Sequence, residues 1–238
     1  MSLRIALVTG AGRGLGRAIA LRLAEDVSGV AVHYFSRRDE AQEVAAAIRE
    51  KDKLAAVFRA DLTKKAQAAG LVKKVEERFG RVDILVNNVG PFLVKAWDQL
   101  EVADWERVLR GNLLGSYFCM KAALTGMRKR KWGRVVNIGY SRAEHLGAFP
   151  TIAPYAVAKT GLLTLTRTAA VSEVENGITV NMVSPGLMRG GALPSAKSFS
   201  ESQLGTFEDV AEAVAFCASD RAGAVTGSNI IVAGTWKM

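Results

Sequence analysis

The sequence predicts an α/β protein: a doubly wound parallel sheet of about seven strands with helices on both faces. Two observations carry that expectation. Short β-branched, apolar runs alternate with longer helix-periodic segments from one end of the chain to the other, the signature of repeated strand–helix–strand units. No Pro-, Gly- or Ser-rich linker, internal repeat or low-complexity tract interrupts the alternation, so residues 1–238 read as one domain.

Ile5-Ala6-Leu7-Val8 is wholly apolar and reads as a buried first strand. Arg13 to Glu25 follows as a helix, with Leu15, Ile19 and Leu23 recurring on one face. The pattern continues with Val30–Tyr34 (strand), Asp39–Lys51 (helix), Ala55–Ala60 (strand) and Gln67–Phe79 (helix). Ile84–Asn88 is the fourth strand, and Asp104–Met127 reads as one long helix whose Gly111 and Gly115 imply close packing. Val135–Ile138 (strand), Tyr155–Glu175 (helix), Thr179–Val183 (strand), Glu208–Cys217 (helix) and Ile230–Val232 (strand) complete the series. The stretch from Gly186 to Gly205, rich in Gly and Ser, reads as a mobile loop. In open parallel sheets ligands bind at the carboxyl ends of the strands, so function is expected just after each strand.

Composition narrows the function classes. With 49% hydrophobic and 23% charged residues, and only 23 Gly and 5 Pro among 238, the chain is no disordered polymer. No apolar stretch approaches the length of a membrane span, and the N-terminus lacks the apolar core of a signal peptide, so a cytoplasmic protein is expected. Cys119 and Cys217 sit in helical patterns without a CxxC, and His33 and His145 are the only histidines. Neither a disulfide framework nor a metal site is therefore expected. The formal charge of +9 suits anionic ligands or acidic partners. Its densest run, Arg128-Lys129-Arg130-Lys131 with Arg134 close behind, lacks any nucleic-acid-binding signature and fits a solvated helix C-terminus.

Directly after the first strand stands Thr9-Gly10-Ala11-Gly12-Arg13-Gly14-Leu15-Gly16. It misses G-x-G-x-x-G but fits G-x-x-x-G-x-G. Its chemistry is a tight turn, close backbone approach to a pyrophosphate, and a helix N-terminus facing the anion. The second strand ends in Tyr34-Phe35-Ser36-Arg37-Arg38, with no acid before Asp39 to accept a ribose 2′-hydroxyl. Arg13, Arg37 and Arg38 instead suit a dianionic 2′-phosphate, so NADP(H) is the expected cofactor. Tyr155 and Lys159 stand four apart on one helix face, and a nearby ammonium lowers the cost of forming a phenolate.

Four motifs in register, Thr9-Gly10-x-x-x-Gly14-x-Gly16, Asn87-Asn88-Val89-Gly90, Tyr155-x-x-x-Lys159 and Pro185-Gly186, make the whole chain resemble the short-chain dehydrogenase/reductases. The resemblance implies a Rossmann-like fold, a nicotinamide cofactor and a homotetramer. It sets Gly10, Arg13, Gly14, Leu15, Gly16, Asp61, Leu62, Asn88, Val89, Gly90, Pro185 and Gly186 against the cofactor, with Tyr155 and Lys159. It makes Tyr155 the general acid/base, Lys159 its charge partner and ribose anchor, and Asn112 the holder of a relay water or else a helix-kinking core residue. Asp61 resembles the residue that bonds the adenine amine; a helix N-cap is its rival role.

This sequence departs from the pattern in several places. Counting forward from the fifth strand, the family serine falls on Tyr140; counting back from Tyr155, it falls on Arg142. Ser141 lies between and is the expected donor, with Tyr140 the alternate; if neither acts, the enzyme is impaired. Val89 replaces an alanine, Gly190 a carboxamide-binding threonine, and Ala233-Gly234-Thr235 the usual Asp-Gly-Gly. Gly133-Arg134-Val135-Val136-Asn137, Gly177-Ile178-Thr179-Val180-Asn181 and Phe207-Glu208-Asp209-Val210-Ala211 most resemble 3-oxoacyl-[acyl-carrier-protein] reductases. That resemblance implies reduction of a small-molecule or carrier-bound 3-oxoacyl thioester, in fatty acid biosynthesis, with the basic helix end beside the cleft receiving an acidic acyl carrier protein. Asn176, where a basic residue is common, is a departure. Phe92 stands where pteridine reductases place an aromatic ring; simple packing is its other role. Other carbonyl or pteridine substrates, or a cofactor-binding sensor with little turnover, are the alternatives.

Overall fold

The computed structural model describes residues 3–191 and 204–234. One sheet of seven parallel strands runs in the order β3-β2-β1-β4-β5-β6-β7. The strands are β1 (Ile5–Val8), β2 (Gly29–Tyr34), β3 (Leu54–Arg59), β4 (Ile84–Asn87), β5 (Gly133–Ile138), β6 (Ile178–Pro185) and β7 (Asn229–Val232). Helices α1 (Gly14–Asp26), α2 (Arg38–Arg49) and α7 (Phe207–Ala218) cover one face, burying Ile19, Leu23, Val44, Ile48 and Val214. Helices α3 (Lys65–Phe79), α5 (Gly115–Arg130) and α6 (Ala153–Glu173) cover the other with Leu71, Val75, Met120, Met127 and Ala169. The order reverses at β1/β4, the switch point where such sheets open a crevice. Both cysteines are buried and free. Among the described residues no helix is long and apolar enough to cross a membrane.

The long helix expected over 104–127 is broken. It comprises α4 (Val102–Leu109), a π-helical turn over Arg110–Leu114, and then α5. Asn112 explains the break: its side-chain amide donates to the Val108 carbonyl (3.1 Å) and to the Pro91 carbonyl (2.9 Å). That amide takes an acceptor which the α-helical ladder uses for a backbone N–H, and the turn widens. Gly111 lets the turn close on Pro91, since a Cβ there would lie 2.4 Å from the proline ring.

The basic run is not beside the cleft of its own chain. It ends α5 just before β5 begins, at the amino ends of the strands, whereas ligands meet the carboxyl ends. Arg128 pairs with buried Glu173 (Nε–Oε2 2.8 Å), and Arg130 reaches Asp83 (3.2 Å). Lys131 donates to Asn176 (3.0 Å). Asp83 is fully buried and also accepts from Arg81 (2.6 and 2.8 Å) and from the Ile5 N–H (3.0 Å). Beside it, Arg4 and Arg134 lie over the Trp132 ring at 4.1 and 4.4 Å. Pairing and stacking engage most of this run at the amino ends of the strands.

Candidate active site

The glycine loop is held from below and from both sides. Thr9, buried, donates its hydroxyl to the Val86 carbonyl (3.1 Å) and accepts the N–H groups of Asn88 (2.8 Å) and Val89 (3.1 Å). The Asn88 amide donates to the Thr9 and Gly10 carbonyls (3.0 and 3.3 Å). Gly10 adopts φ +63°, and its N–H donates to Nδ1 of His33 (3.0 Å). Nε2 of His33 faces the Ala60 carbonyl at 3.1 Å, so the proton belongs on Nε2 and the ring is neutral. Burial pushes its pKa down to about 4. His33 is a site residue that the sequence reading missed, because its role depends on β2 lying beside β1, which no local pattern states.

These residues fit a dinucleotide. A Cβ on Gly16 would lie 2.1 Å from the Gly10 carbonyl, so only glycine allows the loop to fold this tightly onto α1. The first turn of α1 has no side-chain cap and no acidic residue, leaving its N–H groups for an anion. Gly14 begins that helix, with Arg13 exposed beside it and Leu15 and Gly186 on the adjoining cleft wall. Gly12 packs on the first turn of α2 at Ala41, and Arg13, Arg37 and Arg38 are all exposed. Arg37 is already engaged by Glu40 (2.6 Å). Asp61 spends Oδ1 on the N–H (3.0 Å) and hydroxyl (2.6 Å) of Thr63, and Lys64, not Asp61, occupies the N-cap position of α3. Leu62 is buried next to it and backs Gly115.

Between the ends of β4, β5 and β6 and the start of α6 lies a cleft of about 270 Å³. Asn88, Gly90 and Pro185 line it together with Phe92, Tyr140, Tyr155 and Lys159. Lys159 is buried, and its ammonium donates to the Ile138 carbonyl at 2.6 Å. Burial lowers its pKa to about 7. Its Nζ is 5.6 Å from the centre of the Tyr155 ring. Burial, and then the neighbouring Tyr140 phenol, hold the Tyr155 hydroxyl well above an ordinary phenol's pKa. Asn112 is fully buried against Gly90, where a Cβ would lie 2.0 Å from its Oδ1, and that oxygen has no partner.

The structure separates the two serine candidates. Ser141 is buried outside the cleft lining: its N–H donates to the Pro185 carbonyl (3.0 Å), and its hydroxyl has no partner. Tyr140 lines the cleft, its ring 5.7 Å from that of Tyr155 and 6.3 Å from Phe149. Arg142 lies over Phe149 at 5.0 Å. Phe92 is not merely packed away; it is 49% exposed, lines the cleft, and meets Tyr155 edge-on at 4.9 Å. Gly190 takes φ +77° and offers no hydroxyl where the family has a threonine. Residues 192–203, within the expected mobile loop, and Thr235 lie outside the described residues.

A switch-point crevice, a glycine loop opening a helix, and a buried tyrosine–lysine pair define a nucleotide-cofactor oxidoreductase. Comparison with known proteins agrees. A family model described as enoyl-(acyl carrier protein) reductase matches residues 10–235. The 3-oxoacyl-[acyl-carrier-protein] reductase FabG of Staphylococcus epidermidis is 35% identical over 244 residues, 98% of each chain. The (2S)-[(R)-hydroxy(phenyl)methyl]succinyl-CoA dehydrogenase subunit BbsD of Thauera aromatica is 38% identical, over 97% of this chain and 95% of its own. Among solved structures, a blue fluorescent protein from a metagenomic library, in complex with NADPH, superposes with a TM-score of 0.90 at 32% identity, over 99% and 98% of the two chains. The chain belongs to the short-chain dehydrogenase/reductase family.

Proposed function

We propose that this chain uses NADPH to reduce a 3-oxoacyl thioester, free or carried on an acyl carrier protein, to the 3-hydroxyacyl form. The Tyr155–Lys159 pair carries the reaction type: a protonated phenol in a cleft, beside an ammonium whose pKa of about 7 leaves it partly charged near neutrality. Full-length similarity to the staphylococcal reductase supports the substrate class. Bound NADPH supplies a hydride to the keto carbon. Tyr155 gives its Oη proton to the carbonyl oxygen, and Lys159 stabilises the phenolate left behind. Asn112, with Oδ1 unpartnered, holds a water through which the proton is replaced. Gly10, Gly14, Gly16 and the N-terminus of α1 cradle the pyrophosphate, and Arg13, Arg37 and Arg38 receive the 2′-phosphate. A cytoplasmic protein, and on the family resemblance alone a homotetramer, complete this reading. The basic run at the amino ends of the strands lends it no carrier-docking surface at this cleft.

A second reading, reduction of another carbonyl or of a pteridine, is favoured by the exposed face of Phe92 in the cleft. The discriminating experiment follows nicotinamide absorbance with acetoacetyl thioesters, free and carrier-bound, with NADH in parallel. Turnover of an acetoacetyl thioester with NADPH is expected. Preference for NADH refutes the role given to the arginines, and reaction only with other carbonyls replaces the substrate. Tyr155→Phe should abolish turnover while NADPH still binds, which a sensor without turnover would not require.

A further inference from the structure

We infer that Tyr140 is the second hydrogen-bond donor to the substrate oxygen, so that two facing phenols hold the reacting carbonyl. The inference rests on the reading of the cleft as a carbonyl-reducing site. Reduction builds negative charge on the carbonyl oxygen as hydride arrives, and a single donor leaves one of its lone pairs without a partner. Sites of this kind place a second donor opposite the acid. Three observations give that place to Tyr140.

First, among the described residues lining the cleft, Tyr140 is the only hydroxyl-bearing one besides Tyr155. Second, Ser141, one residue on, is turned away: the peptide that would aim it inward is tied to the Pro185 carbonyl at 3.0 Å. Third, Tyr140 is held by packing on both sides, edge-on to Tyr155 at 5.7 Å and to Phe149 at 6.3 Å, so little rotamer freedom remains to be lost when substrate arrives. The electrostatics agree with the geometry. The Tyr140 phenol is close enough to make ionisation of Tyr155 harder, and Arg142, hydrogen-bonded to Tyr140, partly offsets the burial that raises Tyr140's own pKa.

In the reaction the proton on Tyr155 Oη moves to the carbonyl oxygen, while Tyr140 donates a hydrogen bond and keeps its proton. Hydride and proton together convert C=O to CH–OH, and the phenolate of Tyr155 is reprotonated from water.

The test compares Tyr140→Phe with Ser141→Ala, using acetoacetyl thioester and NADPH. Phenylalanine keeps both ring contacts and removes only the hydroxyl. Loss of one such donor lowers kcat about 100-fold or more in enzymes with this kind of site, so a drop of about that size is expected with NADPH affinity unchanged. Ser141→Ala is expected within about twofold of the parent, by the same reasoning that neutral changes away from the reacting atoms cost little. The reverse pattern overturns the inference, as does an unchanged kcat in Tyr140→Phe. A second readout needs no turnover. Tyrosinate absorbance followed through an alkaline titration should show Tyr155 ionising at lower pH in Tyr140→Phe, because the facing phenol is gone. An unchanged titration means the phenols do not face each other and also overturns the inference. If the parent turns over no thioester, the proposed substrate fails, while the titration still decides the placement of Tyr140.

Discussion

Acidification should destabilise the fold through one residue, His33. Burial lowers its pKa from 6.5 to about 4. Unfolded chains therefore bind a proton at this site near 6.5, whereas the folded protein resists protonation until about 4. The unfolded state holds more protons throughout that window, so stability is complete above it and falls as pH drops through it. With about 1.4 kcal/mol per pKa unit, the full span is worth about 3 kcal/mol, of which about 2 kcal/mol is gone by about pH 5. The measurement is urea unfolding at pH steps from about 7 to about 5, on the parent and on His33→Gln, whose amide does not titrate. Asp104, Glu173, Asp209 and Asp220 have their pKa values lowered by hydrogen bonds and ion pairs, so they titrate below this window. His145 is exposed and common to both proteins. The parent should lose about 2 kcal/mol more than the variant. NADPH binding should hold across the same pH steps, because native His33 stays neutral until about pH 4 and its Nδ1 keeps accepting the Gly10 N–H. Equal slopes in the two proteins would refute the assignment of the proton to His33.

Three further outcomes are expected. Gly90→Ala drives a Cβ to within 2.0 Å of the Asn112 amide oxygen; it should cut turnover at least tenfold while unfolding cooperatively, checked by kinetics alongside thermal melting. Asp83→Asn leaves Arg81 and Arg130 without their buried carboxylate and should destabilise by about 3 kcal/mol in urea, with little change in KM for NADPH. Glu40→Gln releases Arg37 from its ion pair and should tighten NADPH binding about two- to fivefold with NADH binding unchanged, measured by nicotinamide fluorescence; exposed pairs of this kind are worth up to about 1 kcal/mol.

The strand–helix alternation carried the sheet, because each buried strand and amphipathic helix announces itself locally. The cofactor loop and the Tyr155/Lys159 pair were legible for the same reason: contiguous residues make them. What escaped the sequence reading depends on neighbours distant along the chain. His33 acts on Gly10 across two adjacent strands. The break in the long helix comes from one side-chain amide choosing the Val108 and Pro91 carbonyls. The basic run was visible, but its position at the amino ends of the strands follows from helix direction, and its pairing with Asp83 and Glu173 from tertiary packing. Between Tyr140 and Ser141, counting along the chain could not decide, since a loop of altered length has no fixed register. The hydrogen bond from the Ser141 N–H to Pro185 supplies that register.

The widened turn at Arg110–Leu114 also sets the phase of everything after it. An α-helix rotates about 100° per residue, so the extra residue turns α5 by roughly that angle relative to a continuous helix. Cys119, Ala123 and Met127 face the sheet in this rotated setting. Drawing the turn into regular α-helix with all its residues kept would swing that stripe about a quarter-turn away from the sheet, whereas deleting one residue along with the bulge would leave it in place. The side-chain amide of Asn112, through its bonds to Val108 and Pro91, therefore fixes the rotational alignment of a core helix as well as its own place beside Gly90.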